Sequence, residues 1–111
     1  MITIREIKNL TDLNDFYALN GEDLHILKIG APWCGPCRQL ETVLHGLEEN
    51  KMNGTLVAAV NIDADETEDI ALKYGVRAIP LTLFVKNGEV IERIQGPMTA
   101  NDVYNKIEEY M

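Results

Sequence analysis

Both cysteines of this chain lie within one pentapeptide, Trp33-Cys34-Gly35-Pro36-Cys37. It follows an apolar run, Ile26-Leu27-Lys28-Ile29, and precedes a helical pattern. A strand-to-helix junction there places both sulfurs on one face of the first helical turn. Cys34 falls at the helix N-terminus, where unpaired backbone N–H groups and the helix dipole favour a thiolate. The thiolate is the nucleophilic form of the side chain. Cys37, three residues on, is within reach to close a disulfide. Pro36 fits an opening turn, where its missing N–H costs little. Gly35 leaves the approach to the sulfurs open. The pattern describes a dithiol that cycles to a disulfide and back.

Other uses of two cysteines fit less well. A structural zinc site needs four ligands in most cases, and only His25 and His45 could join. One precedes the motif on a strand and the other lies about two turns into the following helix, so they do not converge readily. They read as packing or surface residues. Haem attachment needs His directly after the second Cys; Arg38 stands there. The acidic cluster Asp63, Asp65, Glu66, Glu68 and Asp69 lacks the Gly and Glu of a calcium loop and reads as a solvated helix start. No metal or cofactor is expected.

At 111 residues with 46% hydrophobic content, the chain reads as one domain, 1–111, able to bury a core without staples. Two cysteines are too few for a disulfide scaffold. A formal net charge of −8 argues against nucleic acid and against an anionic membrane surface. No stretch approaches the roughly 20 apolar residues of a membrane span. Residues 1–8 alternate like a strand rather than a signal peptide. A cytoplasmic location is expected, where a catalytic disulfide is ordinary and a persistent one is not.

Strand and helix patterns alternate from end to end, which points to an α/β layered fold. Residues 2–7 read as a strand, and Thr11 as the cap of a short helix carrying Leu13, Phe16 and Tyr17. Residues 24–29 form a buried-type strand interrupted by Lys28. Leu40, Val43, Leu44 and Leu47 predict a helix from Cys34 to about Asn50, closed off by Asn53-Gly54. Residues 55–62 read as a strand inside a sheet covered on both faces. Residues 65–74 read as a helix with Gly75 past its end. Residues 81–86 and 89–95 flank Asn87-Gly88, a strong hairpin signal. Thr99 to Asp102 opens a last helix that turns Val103, Ile107 and Tyr110 inward.

These segments, taken together, resemble the thioredoxin family. The pentapeptide matches its active-site signature. Further matches are Lys73-Tyr74-Gly75-Val76-Arg77-Ala78-Ile79-Pro80, the segment Phe84-Val85-Lys86-Asn87-Gly88-Glu89-Val90, and Gly96 after a strand. The resemblance runs over nearly the whole chain. It implies the thioredoxin fold, a central mixed five-stranded sheet flanked by four helices. It also implies a protein-disulfide reductase acting by thiol exchange: Cys34 attacks a substrate disulfide and Cys37 resolves the mixed disulfide. A separate reductase, an NADPH-linked flavoenzyme (thioredoxin reductase), would recharge the pair, and the protein would work as a monomer on disulfide-containing proteins.

Proline is unwelcome inside a strand, and a cis Ile79-Pro80 bond making a turn explains Pro80; the family has its cis-proline here. The backbone of Ile79 can then pair with an extended substrate segment beside Cys34. Trp33 would form the rim of that groove, and Gly96 would flank it, allowing close approach of another chain. Gly-Pro between the cysteines resembles the reducing branch of the superfamily. A glutathione-coupled, glutaredoxin-like enzyme usually carries Pro-Tyr there, and a binding module would not need both sulfurs.

The chain also departs from the family. Lys28 stands where a buried Asp usually lies under the active site, and Ala59 where its partner Lys lies on the next strand. Thr42 replaces the Pro that often kinks the long helix, and Leu81 replaces the Thr after the cis-proline. Lys28 is therefore a candidate for tuning the thiols in place of the missing carboxylate, or else a stem packed in the strand with its amine reaching water.

Overall fold

In a computed structural model, residues 2–19, 21 and 23–111 are described. Residue 1 of the alternating N-terminal segment therefore lies outside the described residues. The elements run β1 (Ile4–Ile7), α1 (Leu10–Ala18), β2 (Leu24–Gly30), α2 (Gly35–His45), β3 (Leu56–Asn61), α3 (Glu68–Tyr74), β4 (Leu81–Lys86), β5 (Glu89–Gln95) and α4 (Ala100–Glu109). The strands form one mixed sheet in the order β1-β3-β2-β4-β5. β1, β3 and β2 are parallel; β4 runs antiparallel to β2, and β5 antiparallel to β4. This is the thioredoxin fold anticipated above.

β2 is the central strand and is buried along its whole length. Its alternating side chains feed two cores, one on each face. Leu27 and Ile29 pack with Leu13 and Phe16 of α1 and with Ile70 and Tyr74 of α3. Leu24 and Ile26 pack with Leu40 and Leu44 of α2 and with Val103 and Ile107 of α4. Alternation therefore puts Lys28 on the α2 side of the sheet. His25 is buried among Phe16 and Tyr17, with ring centroids 4.9 and 5.6 Å away, and its Nε2–H donates to the Leu19 carbonyl at 2.7 Å. It is a packing residue, as expected.

Three helix boundaries differ from the pattern reading, each for a local reason. Asn9 rather than Thr11 caps α1: its side chain accepts from the Asp12 N–H at 2.8 Å, and Asp12 reaches back to the Lys8 N–H. α2 stops at His45, with Gly46 as its cap, although Leu47 still fills the same core. The apolar spacing continues past the helix because Leu47 and Met52, on either side of an exposed 3₁₀ turn at Glu49–Lys51, pack into that core. α3 begins at Glu68, not Asp65. Thr67 is fully buried and its hydroxyl donates toward the carbonyls of Asn61 and Ala64, holding 62–66 in a turn.

Elsewhere the local chemistry is as read. Gly75 ends α3 in the left-handed region at φ 59°. Asn87 and Gly88 take φ 55° and 75° in the hairpin, the geometry that matches strand twist. Thr99 and Asp102 form a reciprocal capping box. Tyr110 is half-buried against the α4-side core, and its hydroxyl donates to Glu92.

Candidate active site

Parallel pairing sets the position of the site. Gly30, the last residue of β2, lies opposite Asn61, the last of β3, and the Ile62 N–H donates to the Gly30 carbonyl at 3.0 Å. The connections leaving these two strands meet beyond their carboxyl ends, where α/β sheets place their chemistry. The β2–α2 connection carries the cysteines; the β3–α3 connection carries Ile62 and Asp63.

Cys34 is the N-cap of α2 in extended backbone, and Pro36 occupies the first turn. Cys34 and Cys37 are joined as a disulfide, their Cα atoms 5.2 Å apart. The Cys37 N–H donates to Cys34 Sγ at 3.2 Å. A backbone donor and the positive end of a helix both point at this sulfur, and both stabilise it when it carries charge. Cys34 retains 7% exposure and Cys37 none. The ranking of the two is as the helix geometry suggests, but Cys34 is more covered than the sequence reading supposed. Ala31 shares its cluster, and Ile62 and Ile79 pack over it.

Ile79 reaches the sulfurs through the loop before β4, and the Ile79-Pro80 bond is cis. The Gly96 N–H donates to the Pro80 carbonyl at 2.9 Å. Gly96 has φ 96°, which favours glycine, and a Cβ there would meet open space. Trp33 is 66% exposed, its indole N–H donating to the Asp63 carboxylate. Cys34, Cys37, Ile79, Pro80 and Gly96 thus form one connected neighbourhood, with Trp33 at the outer edge. Gly35 is half-buried and Pro36 exposed beside it.

Two contributors escaped the sequence reading. Asp63 looked like part of a solvated acidic run, yet it orients Trp33. Its signal was topological: two residues past the end of a parallel neighbour strand is beside the turn that follows β2. Gly30 is the other. A Cβ on it would lie 2.9 Å from Cys37 Sγ and 3.2 Å from Lys28 Cε, so only glycine leaves room for both.

Lys28 does not simply reach water. It is 6% exposed, and its ammonium stands 4.0 Å from the carboxylate of Glu41 on α2. Burial pushes its pKa down from the ordinary lysine value, and Glu41 pushes it partly back. Beside it, a pocket of about 460 Å³ is lined by Ala59, Arg38, Glu41 and His45, among others. Ala59 is the strand neighbour of Lys28 in register, and its short side chain opens this space. Among the described residues, no group of three or more His, Cys, Asp or Glu could hold a metal ion, and no helix is long and apolar enough to cross a membrane.

The thioredoxin family model matches residues 7–109. A thioredoxin from Bacillus subtilis is 41% identical over 81 residues, covering 73% of this chain and 76% of that protein. An M-type chloroplastic thioredoxin from Spinacia oleracea is 34% identical over 95% of this chain, which spans 59% of that relative's length. The X-ray structure of Fasciola hepatica thioredoxin superposes with a TM-score of 0.84 at 27% identity, covering 97% of this chain and all of that one. With a dithiol pair closed as a disulfide at the head of α2, the chain belongs to the thioredoxin family, the thiol–disulfide oxidoreductases.

Proposed function

We propose that residues 1–111 work as a single thioredoxin domain that reduces disulfides in other proteins. The carrying observation is the asymmetry of the two sulfurs. Cys34 keeps solvent access at the helix N-terminus and accepts a backbone hydrogen bond, while Cys37 is fully covered behind it. In the reduced form, the Cys34 thiolate attacks one sulfur of a substrate disulfide. A mixed disulfide forms, and the first substrate thiolate leaves and takes a proton from solvent. Cys37 then loses its proton and attacks Cys34 Sγ. The second substrate thiolate leaves, and the two electrons of the enzyme dithiol have passed to the substrate.

In this reading the substrate strand lies in the groove between Trp33 and the Ile79-Pro80 segment. It pairs with the backbone of Ile79, and the bare Gly96 admits it closely. Gly35 and Pro36 form the floor on the helix side. Electrons return from a thioredoxin reductase, an NADPH-linked flavoenzyme, and the protein acts as a cytoplasmic monomer. Support for the soluble partner class comes from the net charge of −8, which repels nucleic acid and anionic lipid alike. Insulin reduction tests the reading. Turnover is expected with thioredoxin reductase and NADPH. Turnover only with glutathione and its reductase would overturn the proposed electron donor, and none with either would overturn the activity.

A further inference from the structure

The resolving cysteine is fully buried, so its thiol needs help to ionise: burial alone raises a thiol pKa. No carboxylate lies on β2 beneath it. What lies there is Lys28, whose Cε and the Cys37 sulfur flank the same point above Gly30, 3.2 and 2.9 Å from it. Glu41 follows Cys37 by four residues on α2 and so shares its face, with its carboxylate 4.0 Å from the Lys28 ammonium. Glu41 is 46% exposed and reaches solvent, whereas the Lys28 side chain is nearly covered.

We propose that the Lys28 ammonium is the electrostatic partner that ionises Cys37 in the resolving step, and that Glu41 opposes it and sets its strength. The inference rests on the reading of Cys34 as attacking and Cys37 as resolving. When the mixed disulfide forms, the Cys37 S–H bond breaks and its proton passes to solvent. The resulting thiolate is held by the neighbouring ammonium. It then bonds to Cys34 Sγ, and the Cys34–substrate S–S bond breaks with its electron pair on the leaving thiolate. Nothing else is consumed.

The surroundings agree with this sign of charge. From α2, Arg38, Glu41 and His45 line the pocket, and from β1, Arg5 and Glu6 do. β3 contributes the uncharged Ala59 and Asn61, and β4 places the uncharged Thr82 beside Lys28 in register. Without counting His45, three cations thus face two carboxylates, in a chain whose net charge is −8. Burial pushes the Lys28 pKa down from the ordinary lysine value, and Glu41 offsets part of that lowering.

The test is stopped-flow reaction of the reduced protein with a small aromatic disulfide, 5,5′-dithiobis(2-nitrobenzoate), read by absorbance. Cys34 attack releases one coloured thiolate and Cys37 resolution releases the second, so the two steps separate in time. A neighbouring opposite charge shifts a pKa by about one unit or more. Lys28→Met is therefore expected to move the pH profile of the second phase up by about that amount, slowing it several-fold to about tenfold near neutrality. Lys28→Arg, which keeps the charge, is expected to stay near the parent. Glu41→Gln is expected to move the second phase the opposite way, to lower pH. Opposite signs from two partners of one ion pair are the signature, because a merely structural pair would give no shift in the profile. A parent with two phases whose second profile is unmoved by Lys28→Met and Glu41→Gln overturns the inference alone. A shift of both variants in one direction also overturns it. Should Lys28→Met fail to fold, Glu41→Gln decides by itself. A parent that releases a single thiolate overturns the underlying order of attack, and the inference with it.

Discussion

Gly30→Ala isolates the space behind the disulfide. A Cβ at residue 30 would stand 2.9 Å from Cys37 Sγ, 3.1 Å from Cys37 Cβ and 3.2 Å from Lys28 Cε. Unstrained carbon contacts sit near ~3.5–4.0 Å, so three neighbours must give. Overpacking of this kind costs about 1–3 kcal/mol. The cost depends on redox state. In the oxidised form Cys37 Sγ is tied to Cys34 and packed among Ala31, Ile62 and Ile79, so it cannot turn aside. In the reduced form the free thiol can rotate away, leaving only the two milder contacts. A loss of about 2–3 kcal/mol oxidised and about 1 kcal/mol reduced is expected. A difference of about 1.4 kcal/mol corresponds to about 30 mV, making the disulfide easier to reduce. Guanidinium unfolding of both forms gives the two losses, and equilibration with a glutathione buffer gives the potential. An oxidised Gly30→Ala protein as stable as the parent would refute the reasoning. So would equal losses in both forms with no change in potential.

Three further outcomes follow from other contacts. Thr99→Ala removes one half of the capping box at α4 and is expected to cost about 1 kcal/mol in urea unfolding, with thiol chemistry unchanged. Asp63→Ala leaves the Trp33 indole without its acceptor. It should shift Trp emission and raise KM for insulin about two- to tenfold, the worth of one hydrogen bond of about 0.5–1.5 kcal/mol, while kcat is held. Lys28 has a folded-state pKa below its unfolded one, so the unfolded chain binds more protons in the alkaline window and stability rises with pH there. Lys28→Met is accordingly expected to raise oxidised-state stability most near neutral pH, with the gain shrinking as pH climbs toward the ordinary lysine value. A gain that is constant with pH would contradict the assignment.

The fold and the dithiol were legible because their signals are local. Asn87-Gly88 can close only a tight hairpin, and Cys34 at a strand-to-helix junction can only be a cap. The helix ends were less legible where tertiary packing and backbone part company. Leu47 belongs to the α2 core without belonging to the α2 helix, and periodicity cannot tell these apart. Thr67 was invisible as an organiser because its partners, Asn61 and Ala64, accept through backbone carbonyls that carry no sequence signature. Glu41 carries no signal in the sequence, and Asp63 reads as part of a solvated helix start. Each gains its role only from a neighbour on another element, Lys28 of β2 and Trp33 of the β2–α2 turn. The substitution of Leu81 for the family's usual Thr leaves a fully buried side chain in the core beside Leu83 and Val85, a packing exchange that pattern alone could not assign.

The order of attack at the two sulfurs is tested most directly by trapping. Reduced Cys37→Ser and Cys34→Ser proteins are each mixed with oxidised insulin, quenched with acid and weighed by mass spectrometry. Cys37→Ser is expected to accumulate a covalent adduct through Cys34, because attack proceeds and nothing resolves it. Cys34→Ser is expected to remain unmodified, because its one remaining thiol, Cys37, is buried behind the helix turn. Adducts on Cys34→Ser and none on Cys37→Ser would contradict the account.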